Sequence, residues 1–343
     1  FLADGGNFEA STAYHRLSLE MALFAVALIL GVDDGRKAVF AEYDSSAWGL
    51  TPKVAPGPMP WPPFAAETLN RLDLALGFAR TVTKPAGDIV QIGDNDSGRF
   101  FVLDPAQSAL DISHLWAGPL GNEVLRGLAG GRLPAEPRAA EPIFASSSSS
   151  FPDKVARLRL VLPDPSALDG LRPFALPDFG LYGWRNERAF VSIRCGRLHD
   201  GRGAHAHNDQ LAVEIQADGV DWIRDPGTFA YTGDLEARDA YRSALAHFVP
   251  RRGGAEPAAL NLGPFRLDDS ARAEALCFAS QEFVGRHHGF GEAVWRRVRI
   301  DAGAIVIEDG PEAEPAEHVV ASPVELARLW RLTLPFSAGY GLR

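Results

Sequence analysis

A chain of 343 residues, 46% hydrophobic and 23% charged, has enough apolar material for two domains and a substantial core. The formal net charge of −10 argues against a nucleic-acid partner, and an acidic polymer would have to be met by a local basic groove rather than by the overall field. Two cysteines, Cys195 and Cys277, are too few for a disulfide framework, and the sequence leaves open whether they pair.

The motif-rich start at Phe1 and the unpunctuated end at Arg343 read as cuts from a longer protein. The longest apolar run, Met21 to Val32, is about twelve residues where a bilayer span needs roughly twenty, so it is expected to be a buried helix. Ser11 caps a predicted helix from about Thr12 to Leu30, with Gly31 at its C-terminal end. A proline-rich loop is expected over Val54 to Phe64, then a helix over Ala65 to Thr83 with Leu69, Leu72, Leu76 and Ala79 on one face. Ile89 to Phe101 reads as a turn-rich loop and His114 to Leu128 as a shorter helix. Residues 130–152, rich in Gly and Pro and ending in Ser146 to Ser150, read as a linker.

Beyond Phe179 the period changes to two. Ala189 to Cys195 and Leu211 to Ala217 alternate as strands, and Asp218-Gly219 signals a hairpin into Trp222-Ile223. Ala293 to Ile300 and Ala304 to Glu308 form another expected pair across Asp301-Ala302-Gly303. Short strands at hairpin spacing, without intervening helices, argue an antiparallel sandwich. The expected fold is therefore α+β and multidomain: helices over 1–135, a junction over 136–175, and an antiparallel β-sandwich over 176–343.

The sharpest constellation is Gly203-Ala204-His205-Ala206-His207-Asn208-Asp209. If a strand begins here, His205 and His207 project to one side. They can share a metal, or one can bind it while the other faces substrate. With Asp225 and His247 they make a donor set that suits zinc. The alternative is two histidines that cap strand ends by local hydrogen bonds.

A second constellation, Asp4 to His15, is a glycine-marked loop entering a helix and placing Tyr14 and His15 in its first turn. Helix N-termini attract anions, so Tyr14 there is positioned to lose its proton; the alternative is a capping loop with Tyr14 in the core. Gly93 to Gly98 has calcium-loop character without the closing glutamate. Tyr231 lines a cleft or packs on a strand, and Arg238 and Arg242 bind a carboxylated sugar or form a solvated face. His287 and His288 are expected in an exposed turn, and Glu308 to Glu317 in a solvated loop.

Together, DGGNFEASTAYHRL (residues 4–17), IGDNDSG (92–98), GAHAHNDQLAVEIQADGVDWIRDPGTFAYTGD (203–234) and RSALAHFVP (242–250) resemble the heparinase II/III family of polysaccharide lyases. The resemblance implies a partial (α/α) toroid followed by the sandwich, with the active site between them. It also implies β-elimination on a uronic-acid-containing polysaccharide, in the periplasm or outside a bacterial cell. The family's tyrosine falls on Tyr14 and its catalytic histidine on His205. Its structural zinc would fall on His207, Asp225 and His247. Asn7, Glu9 and His15 beside Tyr14, with Tyr231, Arg238 and Arg242, complete the expected substrate contacts. The alternative function is a non-catalytic acidic-polysaccharide binding or capsule-assembly protein of the same fold. A zinc hydrolase of the amidohydrolase type would need a parallel β/α barrel, against which the hairpins argue.

Overall fold

The computed structural model describes residues 1–42, 64–96, 100, 156–199, 201–310, 317–321 and 336–337. Helix α1 spans Thr12–Leu30, and the Ser11 side chain accepts the Tyr14 amide at 3.1 Å, as the cap pattern predicts. Gly31 follows in a right-handed conformation (φ −77°), so it ends the helix without needing glycine's freedom. Among the described residues α1 is the one helix long and apolar enough to cross a bilayer. Here its stripe of Leu19, Leu23 and Val26 is buried against Leu72, Ala75, Leu76 and Ala79 of α3 (Ala66–Thr81). Between them α2 (Asp34–Glu42) was not anticipated; Asp33 Oδ1 takes the Arg36 amide at 3.0 Å and starts it. Helix α3 stops two residues before its expected end, where Lys84-Pro85 disfavours helical backbone.

Eleven strands among the described residues make two sheets. The smaller runs in the order β2 (Arg172–Leu176), β3 (Leu181–Arg185), β4 (Ala189–Arg194), β5 (Val213–Ala217) and β6 (Val220–Ile223), all antiparallel. Asp218 and Gly219 both have positive φ (52° and 77°), the backbone that a two-residue hairpin between β5 and β6 requires. The larger sheet orders β11 (Glu317–Ala321), β1 (Ala156–Val161), β10 (Ala304–Gly310), β9 (Glu292–Asp301), β8 (Glu282–Phe290) and β7 (Glu274–Phe278). Its β1–β11 pair is parallel and the rest antiparallel. Helix α4 (Leu235–Arg242) lies between β6 and β7 in sequence.

The five-stranded sheet is the middle layer. Val191 and Ile193 of β4 and Val213 and Ile215 of β5 face Phe283, Val298 and Ile305 of the larger sheet. On the other face, Phe190 joins Leu181 and the α1 and α3 stripes. Strands β4 and β5 are consequently buried along their whole length. The polar side chains that alternate onto the helical face of β5 and β6 must then find partners inside the protein. Lys84 supplies them: its Nζ lies 2.7 Å from Glu214, 3.3 Å from Asp221 and 3.5 Å from Asp88. Burial drives the Glu214 carboxyl up to about 7, against the pull of Lys84.

Several expectations need correction. His205 and His207 are not on a strand: β5 starts only at Val213, because Leu211 takes a left-handed backbone (φ 66°) that extended structure cannot contain. His287 is wholly buried within β8 rather than in an exposed turn, and Glu308 belongs to β10. Cys195 is buried and Cys277 exposed, both as free thiols. Strand β1 lies in the segment read as a junction yet belongs to the larger sheet. The proline-rich stretch 51–63, the helix over 114–128, the linker 130–152 and the acidic residues 311–316 lie outside the described residues.

Removing the Lys84 charge strands buried carboxylates. Lys84→Ala is expected to lower unfolding stability by about 3–5 kcal/mol, read from urea titration at pH 7. A loss below about 1 kcal/mol would show that the cluster relaxes into water.

Candidate active site

Three loops remote in sequence meet around Gly93. Its φ of +63° is left-handed, and a Cβ there would lie 2.4 Å from the His205 carbonyl oxygen and 2.7 Å from that of Ala10. Hydrogen bonds stitch the same junction: Ser11 Oγ donates to Asp94 O (2.7 Å), Asp94 N to His205 O (2.9 Å) and Thr12 Oγ1 to Val90 O (2.9 Å). The start of α1, the 90–96 loop and the His205–His207 loop are thereby locked together.

At their centre is the Asp94 carboxylate, with no exposure to solvent. His205 Nδ1 lies 3.1 Å from its Oδ2 and His207 Nε2 2.9 Å from its Oδ1. The Arg238 guanidinium grips both oxygens, Nη2 at 2.8 Å from Oδ2, and also donates to Pro264 O. Burial alone would raise the Asp94 carboxyl. The bonds from His205 and His207 and the Arg238 charge outweigh it and hold the group well below the ordinary carboxylate range.

On the accessible side, the Tyr14 ring stacks on His205 with centroids 3.6 Å apart and planes 19° from parallel. The Tyr14 hydroxyl donates to Asp96 Oδ2 at 2.9 Å and receives the Tyr231 hydroxyl at 3.4 Å. Burial raises the Tyr14 pKa above its usual value; the Tyr231 bond opposes this, and Asp96 adds to it. Burial first, and then the Asp96 carboxylate facing the hydroxyl, work against the expectation that Tyr14 loses its proton at the helix N-terminus. Glu9 Oε1 lies 3.9 Å from His205 Nε2, and exposed Phe265 stands edge-on to both His205 and Tyr231.

Behind Asp94, His207, Asp225 and His247 bring their donor atoms within 4.8 Å of one another, all buried. All three sit on loops, not on strands, contrary to the expectation of a strand beginning at His205. The β5–β6 hairpin explains the convergence of the first two, since His207 precedes β5 and Asp225 follows β6. Glu256 brings in the third: it accepts Asn208 Nδ2 (2.7 Å) and Ala244 N (2.9 Å), joining the loops that carry His207 and His247. Asp225 Oδ2 lies 2.7 Å from His247 Nδ1. Among the described residues, His207 Nδ1 and His247 Nε2 have no hydrogen-bond partner, and His247 Nδ1 has only the Asp225 carboxylate. Buried nitrogens left open are costly unless another group takes them, and two imidazoles with one carboxylate fit a zinc-type cation. Asp94 on the far nitrogen of His207 is the outer-shell carboxylate such a ligand uses.

The structure thus brings together Glu9, Tyr14, His205 and Tyr231 on one accessible face, with the His207–Asp225–His247 cluster behind it. Four other expected contacts are not placed to touch a polymer. His15 is buried between Phe1 and Phe78 with Nε2 3.1 Å from Ala75 O, and burial lowers its pKa to about 3. Asn7 is buried and donates to Ser18 Oγ at 2.9 Å. Arg238 is spent on Asp94, and Arg242 is held by the carbonyls of Gly263 and Arg266. Asp94 and Asp96 were passed over as functional residues. Their loop carries part of the family resemblance and has calcium-loop character, but Asp94 is surrounded by hydrogen-bond donors, which a calcium ion would oppose. The repetition of acidic residues between two glycines was the available signal.

Residues 169–335 match the family model described as heparinase II/III-like, C-terminal. Solved structures of similar fold include heparan sulfate lyase HepC from Pedobacter heparinus, 15% identical over 90% of this chain and 38% of that one, with a TM-score of 0.50. Heparinase III is 13% identical over 91% of this chain and 41% of that one, with a TM-score of 0.54. The chain therefore spans about two fifths of the length of these structures, and at such identities the likeness is one of fold. No curated protein sequence matches it.

Gly93→Ala forces a side chain into two backbone oxygens, whereas the equally left-handed Gly219 has open space around it. Gly93→Ala is expected to cost at least about 2 kcal/mol more than Gly219→Ala in thermal or urea unfolding. Equal costs would mean that the three loops are not locked as described.

Proposed function

We propose, from the premise that this chain carries a heparinase II/III-like C-terminal domain at residues 169–335, that it is part of a polysaccharide lyase. The substrate is a uronic-acid-containing polysaccharide, and the reaction is β-elimination. Helices α1 and α3 would then be the last turns of a partial (α/α) toroid. The observation that carries the reading is the stacked, accessible pair of Tyr14 and His205, a proton donor and a proton acceptor side by side.

Elimination removes the C5 proton beside the uronate carboxylate, breaks the C4–O4 bond and leaves a C4–C5 double bond. One group must accept the proton and another must protonate O4. His205 turns Nδ1 toward Asp94; with its proton there, Nε2 keeps a lone pair for C5. Asp94 thus fixes the tautomer, as a carboxylate behind a catalytic histidine does. Tyr14, whose pKa is raised, keeps its proton at neutral pH and suits the role of acid to O4. Asp96 and Tyr231 orient its hydroxyl.

Tyr14→Phe is expected to lower turnover by about 10²–10⁴-fold, followed by ultraviolet absorbance of the new double bond, while polymer binding changes little. Retained turnover would remove Tyr14 from the chemistry. Binding without any turnover in the parent protein would favour the non-catalytic reading. Because acidic glycans of this kind are extracellular, a periplasmic or secreted location is part of the proposal, and cell fractionation checks it.

The open nitrogens of His207 and His247, with Asp225, support a zinc ion held by these three residues. When bound it would supply charge and cross-linking, tying the loops before β5, after β6 and after α4. Its distance from the accessible face, behind Asp94, favours a structural role. We expect about one zinc per chain by elemental analysis, with its loss to a strong chelator lowering the melting temperature. Unchanged melting after chelation, or no metal in the purified protein, would sink this part.

A further inference from the structure

A chain of net charge −10 repels an acidic polymer unless local cations receive it. At the buried core of the candidate site the obvious cation, Arg238, is already neutralised by Asp94. A second place offers cations outward. Arg197, Ser270, Arg272, Glu274, His288 and Gly291 line an open groove of about 710 Å³, within the range of small-ligand sites. Glu274 accepts Arg286 at 2.6 Å, which offsets its charge, and Arg197 pairs with Asp269 while keeping most of its side chain in solvent. Arg272 is exposed and has no ion pair or hydrogen bond to the described residues.

Its presentation is built rather than incidental. Arg272 takes a left-handed backbone (φ 47°), costly for a bulky residue and kept only where its surroundings impose it. Ala271 and Ala273 on either side are buried, and the His288 amide donates to Ala271 O at 2.7 Å. This clamp turns Arg272 outward. The same loop begins at Phe265, edge-on to His205, and is held to Arg202 O by the Leu267 amide at 2.7 Å. Even fully extended, the segment from Phe265 to Arg272 spans at most about 25 Å. Arg272 therefore lies within about 25 Å of the Phe265 backbone, a span that a polymer of several sugars covers.

We propose that this groove is a distal subsite for the acidic polysaccharide, with Arg272 as its anion contact. The inference rests on the acidic-glycan reading above but not on turnover. Carboxylate and sulfate groups share the chemistry that Arg272 recognises, so two polymers separate them: alginate carries carboxylates only, and heparan sulfate carries both.

The test is equilibrium binding of both polymers and of a uronate disaccharide to the full chain. It uses a Tyr14→Phe background, so that nothing is consumed, and compares Arg272 with Arg272→Ala and Arg272→Lys. We expect Arg272→Ala to weaken polymer binding about threefold to tenfold and to flatten its salt dependence. The disaccharide should be unaffected, and Arg272→Lys should keep most of the affinity. A loss for heparan sulfate alone assigns the groove to sulfate, and a loss for both assigns it to carboxylate. Equal polymer affinity in Arg272→Ala, or a matching loss for the disaccharide, would overturn the subsite. If Arg272→Ala weakens binding while the Tyr14-containing protein never forms the double bond, the groove stands and the lyase reading falls.

Discussion

The buried carboxylate of Asp94 is the interaction on which the rest of the site depends. One side chain without solvent contact receives two imidazoles from the His205–His207 loop and a guanidinium from α4. A buried anion is tolerable only when its lone pairs are fully taken and its charge is matched. Arg238 supplies the charge, and the two histidines complete the acceptor shell. The same requirement fixes both rings: His205 is turned to the Glu9 side through Nε2, and His207 to the His247–Asp225 side through Nδ1. One carboxylate thus orients a candidate catalytic group and a candidate metal ligand at once.

The layer order explains why so many polar residues are buried without being functional. A five-stranded sheet covered on both faces has no solvent face on which to place Glu214, Gln216 or Asp221. These meet Lys84, the Ala86 amide and the Gln91 amide instead, so polar contacts and apolar packing together hold the helices to the sheet. His15, Arg242 and His287 belong to the same class. Their residue types suggest chemistry, but their atoms are committed to carbonyls or packing.

Charge is arranged in two tiers. Inside, cations are spent on neutralising carboxylates that shape the protein. Outside, on the loop that leaves Phe265, Arg272 is exposed and has no ion pair among the described residues. For an acidic polymer and an acidic protein this separation is physically sensible, because a guanidinium at the surface acts on a ligand over no more than about 10 Å in physiological salt.

Local chemistry in the sequence determined the elements. Ser11 as cap, the apolar stripes of α1 and α3, the alternation in β4, β5 and β9 and the Asp218-Gly219 turn depend on neighbours a few residues apart, and they stand within about two residues of where periodicity put them. Glycine-marked loops set Tyr14, His205, His207 and Asp225 apart in the sequence, and His247 stood out only through the RSALAHFVP segment. Tertiary structure alone decided that Asp94 is the hub, that the Tyr14 hydroxyl faces the Asp96 carboxylate, and that Arg238 and His15 are interior residues. Each of these is fixed by a partner from a distant loop: Asp94 lies 111 positions from His205 and 144 from Arg238. Burial and long-range pairing are properties of the packed chain, and no local pattern encodes them.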